Sequence, residues 1–324
     1  PEALKPSTAR KIRDAMKELG YVPSLRRPGR KTSRRAGLKH YKVILLTLSD
    51  IAPSRLLTMP AYSLYLDALI EEFNRWDISL EFCTLGPDGR VPDRISTKHC
   101  DGVVLFQKRP DRKFMSYLYE RLNGLPVVWS FHAFYDPENR SVMGVYANDA
   151  VGALAAGFLH DAGCEKALAL TNTFHHAAYA ARVRDFLESA RRWNMAADTI
   201  RDLPDGDDVD NPTISAHIAR QLKENPKFRD ADGLFFVSDS VMTGAMIEYR
   251  ALGGDFGRFK LLGCNANLQM LDFFERIPPS IDIKLAGVGR RTADRLLQRI
   301  NSGNSLPPAN LILAPDIVTL THRY

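Results

Sequence analysis

Residues 144–171 read GVYANDAVGALAAGFLHDAGCEKALALT. A short apolar run near Gly144–Ala147 precedes a helical stretch, Ala150–Ala162, and a second apolar run follows at Ala167–Thr171. Strand, amphipathic helix and strand in that order describe one unit of a parallel sheet covered on both faces. The same alternation extends in both directions. Upstream, Val43–Leu48 reads as a buried strand, Tyr62–Trp76 as a helix, Ser79–Leu85 as a strand, Gly102–Phe106 as a strand after a helix, Arg112–Leu122 as a helix and Pro126–Trp129 as a strand. Downstream, helix Ala178–Trp193, strand Thr199–Leu203, helix Thr213–Lys223, strand Leu234–Val237, helix Val241–Leu252 and strand Lys260–Gly263 continue a second series that opens at Gly144. A strand at Ile281–Leu285, a helix at Arg290–Ile300 and a last strand around Asp316–Leu320 close the chain. The fold class expected is α/β, two doubly wound parallel-sheet lobes with a cleft between them.

Size and composition agree with two lobes. The chain has 324 residues, 45% of them hydrophobic, enough to bury a large core. It contains no run of 18 apolar residues and no charged-then-apolar leader, so neither a membrane span nor a signal peptide is expected. Cys83, Cys100, Cys164 and Cys264 lie scattered without C-x-x-C spacing, as free thiols of a reducing cytoplasm would, and no metal site or cofactor is expected.

Charge is distributed unevenly. The net +6 divides into +10 over residues 1–42 and −4 over residues 43–324. A cationic arm before a mildly acidic globule suits a polyanion partner, although a solvated, disordered N-terminus carries the same composition. Within the arm, Lys5–Ser24 reads KPSTARKIRDAMKELGYVPS, where Ile12, Ala15, Met16 and Leu19 form one apolar stripe at helical spacing. Pro6 and Ser7 suit the first turn of that helix and Gly20 its stop. So short a helix needs a docking partner. Residues 21–42 offer none, and Pro1 is not an initiator Met, so the chain is expected to lack its true N-terminus. Residues 24–41, SLRRPGRKTSRRAGLKHY, show no apolar period and read as a linker.

The stretch Thr8–Pro23, T-x-R-x-I-x-x-A-M-x-x-L-G-Y-V-P, resembles the third helix of the helix-turn-helix headpiece of the lactose-repressor (LacI/GalR) family. The resemblance implies that about two dozen residues precede the chain, among them the recognition helix that enters the major groove. It divides the chain into 1–24, the remnant of an all-α headpiece; 25–41, a basic linker; and 42–324, an effector-binding core. Tyr21, Arg26, Arg27, Arg30 and Lys31 become the expected DNA contacts. Family linkers carry N-x-x-A-R-x-L, a hinge helix whose Leu wedges into the minor groove. Here Ser24 replaces the Asn, Pro28 interrupts the helix and the Leu is missing. The arginines around Pro28-Gly29 either lie extended in a narrow minor groove or form a flexible tether to phosphates.

The likeness continues through the core. Val145 to Gly163 is similar to the family's V-x-x-D-x-x-x-G-x-x-x-A-x-x-L-x-x-x-G crossover, with Asn148 at the first Asp, and Arg182-x-x-x-Phe186 to its R-x-x-G-F effector arginine. Asp101-Gly102, Ser238-Asp239 and Leu262-Gly263-Cys264-Asn265 resemble its D-G, N-D and V-G-F-D, and Pro278–Lys284 its P-P-L-T-T-I-K. The fold implied is the periplasmic-binding-protein type, lobe one spanning about 42–143 and 277–304 and lobe two about 144–276 and 305–324, joined by three crossing strands. Polar positions depart from the pattern at Ser238, Asn265, Leu285 and Phe131.

In doubly wound sheets ligands lie beyond the carboxyl ends of the strands. The effector-site candidates are therefore Ser49, Asp50, Gln107, Phe131 with His132, Arg182, Asp239 and Asn265. An Arg and an Asp can fork onto vicinal hydroxyls or a carboxylate, and an aromatic ring can cover a sugar face. Alternatively Arg182 faces solvent on its helix, and Asp239 caps the helix after it. Enzyme readings lack support: Gly253-Gly254 and Gly287-x-Gly289 are not phosphate loops, and the adjacent His175 and His176 diverge on a helix. The resemblance implies a cytoplasmic transcription regulator with no catalytic residues, pairing as a homodimer over a pseudo-palindromic operator and sensing a small, sugar-like effector. A transport-type binding protein and a sugar-modifying enzyme are the alternatives.

Overall fold

The computed structural model describes residues 40–48, 60–86, 88–106, 112–130, 143–147, 150–174, 177–201, 203, 212–272, 274–303, 305–307 and 309–319. The basic arm, with Tyr21, Arg26, Arg27, Arg30 and Lys31, falls outside the described residues, as do Ser49, Asp50, Gln107, Phe131, His132, His175 and His176.

The first six-stranded sheet, in the order β11-β5-β4-β3-β1-β2, contains β1 (Lys42–Thr47), β2 (Ser79–Thr84), β3 (Gly102–Phe106), β4 (Val127–Ser130), β5 (Met143–Ala147) and β11 (Asn310–Leu313), all paired in parallel. Strand alternation sends the side chains of β1 to two separate cores. Val43 and Leu45 pack with Tyr65, Leu69 and Phe73 of α1 (Pro60–Arg75) and Val288 and Leu296 of α9 (Leu285–Asn301). Ile44 and Leu46 pack on the other side with Val103, Leu105, Trp129 and Leu118 of α2 (Arg112–Arg121). Because both faces are covered, β1 and β3 read as unbroken apolar runs.

The second sheet runs β12-β10-β9-β8-β6-β7. It is built from β6 (Lys166–Leu170), β7 (Ala196–Asp198), β8 (Gly233–Phe236), β9 (Lys260–Cys264), β10 (Ser280–Asp282) and β12 (Asp316–Val318), the last antiparallel to β10 and the others parallel. Helices α3 (Val151–Asp161), α4 (Ala177–Arg192), α5 (Pro212–Glu224), the short α6 (Pro226–Arg229), α7 (Asp239–Ala251) and the short α8 (Leu268–Leu271) accompany it. Their apolar residues form one core with the strands.

The chain crosses between the sheets after β5, after β10 and after β11. Strand membership therefore differs from the division expected at 143/144, 277 and 305, since β5 and β11 belong to the first sheet and β10 to the second. β11, NLIL, was not anticipated. β7 spans Ala196–Asp198 and ends one residue before the strand expected from Thr199, and α9 starts five residues before Arg290, at Leu285. No helix precedes β3 among the described residues of 85–101, where turns follow one another around Pro92. Lys284, in the left-handed region at φ 61°, turns the chain from β10 into α9. Its backbone N–H donates to Asp282 at 2.6 Å and its ammonium bridges Asp282 and Asp316 at 2.9 and 2.5 Å, tying two crossings together. Cys83, Cys100, Cys164 and Cys264 are all free and buried, and among the described residues no helix is long and apolar enough to cross a membrane.

Candidate ligand-binding site

Of the effector-site candidates, Arg182, Asp239 and Asn265 are described, and the second lobe brings them together. Arg182 lies one turn before Phe186 on α4, whose ring stacks on Phe235 of β8 at 5.5 Å between centroids. That face is buried, so the long arginine stem is carried inward rather than into solvent, and Arg182 is 9% exposed. The approach of α3 to α4 is close at this point. A Cβ on Gly152 would collide with the Arg182 carbonyl oxygen and the Phe186 amide, which accounts for the glycine.

At its tip, Arg182 donates through Nη1 to the carbonyl of Val237 at 2.6 Å and to Asn265 Oδ1 at 3.4 Å. The Tyr179 ring lies one turn earlier on the same helix, with its centroid 5.7 Å from the guanidinium carbon. Among the described residues no side chain or carbonyl accepts from Nε or Nη2. One edge of the guanidinium is thus anchored to the protein, and the other keeps the parallel donor pair that matches a carboxylate or two neighbouring oxygens.

Asp239 occupies a different position from the ligand contact expected of it. Its side chain is 0% exposed, and its two oxygens accept from the Asn267 N–H at 2.7 Å and the Ser280 hydroxyl at 2.8 Å. Burial pushes its carboxyl up to about 7, against the opposing pull of the backbone N–H of Asn267, the Ser280 hydroxyl, the Cys264 backbone and the Arg182 charge. Nor is Asp239 the helix cap. Ser238 takes that place, in extended conformation, accepting from the Val241 N–H at 3.3 Å, and Asp239 is the first residue of α7. Cys264, at the end of β9, is also sealed off, and burial pushes its thiol up to about 12.

Asn265 emerges at the end of β9 at φ 102°, followed by Ala266 at φ 51°. Two successive non-glycine residues in this region are strained, and such strain clusters at binding sites. Sequence reasoning missed Thr171 and Asn172, buried polar residues at the end of β6 that are 2% and 5% exposed, and the supporting residues Asn267 and Ser280. The signal for the first two was present: Thr-Asn directly follows the apolar run Ala167–Leu170, at the strand end where ligands collect. Leu285, where the family pattern carries a polar residue, joins the second lobe's core. Among the described residues no cluster of His, Cys, Asp or Glu could hold a metal.

No protein-family model and no curated protein sequence matches the chain. Solved structures do match. A transcriptional regulator CelR–cellobiose complex aligns with a TM-score of 0.67 and 19% identity over 98% of this chain and 91% of its own. A LacI family transcriptional regulator from Enterococcus faecium with bound ribose gives 0.65 and 14% identity over 86% and 96%. The Lac repressor bound to ONPG in its repressed state gives 0.65 and 14% over 98% and 91%. At such identities the likeness is one of fold: the chain shares the two-sheet α/β core of these regulator structures.

Proposed function

We propose that the chain is a ligand-responsive, DNA-binding transcription regulator, in which the two-lobed core senses a small hydroxyl-bearing effector of the sugar class. The observation that carries the reading is Arg182, a buried guanidinium held through Nη1 by Val237 and Asn265, whose other donor pair has no acceptor among the described residues. Two neighbouring sugar hydroxyls or a sugar-acid carboxylate fit that pair. Arg182 and Asn265 are the second-lobe contacts in this proposal, and Ser49, Asp50, Gln107 and Phe131 are proposed to close the site from the first lobe. Asp239 supports the site rather than touching the ligand. Structures of the same fold hold cellobiose or ribose, which favours a carbohydrate. No catalytic group is assigned.

In the same proposal the arm, with +10 over residues 1–42, is the DNA-facing part, through Arg26, Arg27, Arg30, Lys31 and Tyr21, in a cytoplasmic protein. Two-fold operator half-sites call for a homodimer, and ligand-driven movement of the lobes would change how two headpieces are spaced. The test is a thermal-shift screen of mono- and disaccharides and sugar acids, ribose and cellobiose included, followed by DNA binding with and without the best ligand. A ligand that stabilises the chain and alters its DNA affinity is expected. DNA affinity should fall steeply with salt through counterion release and should vanish when residues 1–41 are deleted. Turnover of a screened sugar, or DNA binding unchanged by that deletion, would overturn the reading.

A further inference from the structure

We propose that Asp239 and Ser280 form a clamp that fixes how Asn265 meets Arg182, making Asp239 a positioning residue of the ligand site. The clamp's relevance to sensing rests on the role proposed above for Arg182 and Asn265, and its geometry is independent of any ligand. Three successive backbone N–H groups leave the end of β9, and each has its own acceptor. Asn265 donates to the Ile281 carbonyl at 2.8 Å, Ala266 to Ser280 Oγ at 3.0 Å and Asn267 to an Asp239 carboxylate oxygen at 2.7 Å. The Ser280 hydroxyl completes the circuit by donating to the other Asp239 oxygen at 2.8 Å. Asn265 and Ala266 hold left-handed φ values of 102° and 51°, which side chains resist, so the turn persists only because its surroundings over-determine it. Two of the three acceptors belong to the Asp239–Ser280 pair, and both side chains are 0% exposed.

The same short segment also holds the arginine. Val237 offers its carbonyl to Arg182, and two residues later Asp239 offers its carboxylate to the turn that carries Asn265. The segment Val237–Asp239, which leads from β8 into α7, therefore sets both members of the Arg182–Asn265 pair against each other. Room for the carboxylate is provided at Gly263, where a Cβ would collide with Asp239 Oδ1. The charged and titratable groups that face the carboxyl are Arg182 from α4 and Cys264 from β9. Burial leaves Asp239 poised to take a proton near neutrality, and a proton on either oxygen turns an acceptor into a donor and loosens the clamp.

The test uses the full chain, isotopically labelled, without ligand. Its amide resonances and the Arg182 Nε–H resonance are followed by NMR over roughly pH 5 to 9. The amides of Ala266 and Asn267 and the Arg182 Nε–H are expected to titrate together, with one midpoint near 7, while core amides of Leu168 and Phe235 stay still. Asp239→Asn should abolish that titration in the folded protein. Ser280→Ala should speed hydrogen exchange at Ala266 about tenfold or more, and Ser280→Thr, which keeps the hydroxyl, should restore part of the protection. The clamp is overturned if Ser280→Ala leaves exchange at Ala266 unchanged, if the turn titrates and Arg182 does not move with it, or if Asp239→Asn leaves the Ala266 and Asn267 amides and the Arg182 Nε–H where they are. A sugar screen that finds no ligand would defeat the sensing role and leave these resonances as stated.

Discussion

The Arg182 guanidinium and the Val237 carbonyl meet at 2.6 Å, a side chain of α4 bound to the backbone at the end of β8. A backbone anchor does not rotate away as a side-chain partner would, so the remaining donor edge of Arg182 keeps one orientation. A lysine cannot satisfy both duties, because its single ammonium lacks the planar fork. Arg182→Lys is therefore expected to weaken binding of the best sugar from the screen nearly as much as Arg182→Ala, by about tenfold or more in each case. Titration calorimetry decides the matter, and full affinity in Arg182→Lys would show that only positive charge is needed there.

Gly152 governs the same arginine from the opposite side, since a methyl group there meets the Arg182 carbonyl and the Phe186 amide. Backbone cannot swing aside like a flexible side chain, so Gly152→Ala must push α3 from α4. A cost of about 1–3 kcal/mol is expected, seen as a lower melting temperature in calorimetry, together with weaker ligand binding. A melting temperature equal to that of the unchanged chain would mean that the helices separate freely.

The architecture was readable because a parallel sheet covered on both faces writes its strands as apolar runs, as in Val43–Leu48 and Leu234–Val237. Which sheet a run joins was not readable. Gly144–Ala147 opens a new series in sequence, yet it pairs beside β4, because strand order is set by a crossing that leaves no local mark. Asn310–Leu313 escaped notice because four residues beyond Pro307-Pro308 are too few for a periodicity to show, and every second one is exposed. Asp239 was legible as important and not legible in its task. An acid that follows a strand end looks the same whether it meets a ligand or a neighbouring turn, and only the partners Asn267 and Ser280, 28 and 41 residues away, separate the two.

A buried hydroxyl network in the first lobe makes a separate prediction. Tyr65, 0% exposed, donates to Ser130 Oγ at 2.7 Å, Ser130 and Thr292 share a hydrogen bond at 2.8 Å, and the Tyr65 ring stacks on Phe106. The three residues link α1, β4 and α9, so the network ties the late helix to the first sheet. Tyr65→Phe keeps the ring and removes one partner of Ser130, at an expected cost of about 1–2 kcal/mol in urea unfolding. Combining it with Thr292→Val should cost less than the two changes separately, since the same network is being dismantled. Strict additivity would show that the hydroxyls act independently.

The Asp239 carboxyl finally predicts a pH dependence of stability whose sign is opposite to that of most acids. Its pKa is raised to about 7 in the folded chain, whereas the unfolded chain would show the ordinary value near 4. The folded state therefore holds the proton more tightly than the unfolded state throughout that interval. Its contribution to stability is complete below about pH 4 and is lost as pH rises through about 7. Acids held low work in the other direction: Glu81, lowered by the hydrogen bond from Lys42, and Asp198, where burial is outweighed by hydrogen bonds from Lys227 and Thr199. These contributions cancel when the unchanged chain is compared with Asp239→Asn at each pH. The stability of the unchanged chain relative to Asp239→Asn should be greatest near pH 4, should shrink toward pH 7 and should be level above it. Denaturant unfolding of the two proteins at matched pH measures the difference directly. A difference that is flat or grows over the interval would mean that Asp239 is already ionised in the folded chain, with the hydrogen bonds of Asn267 and Ser280 outweighing its burial.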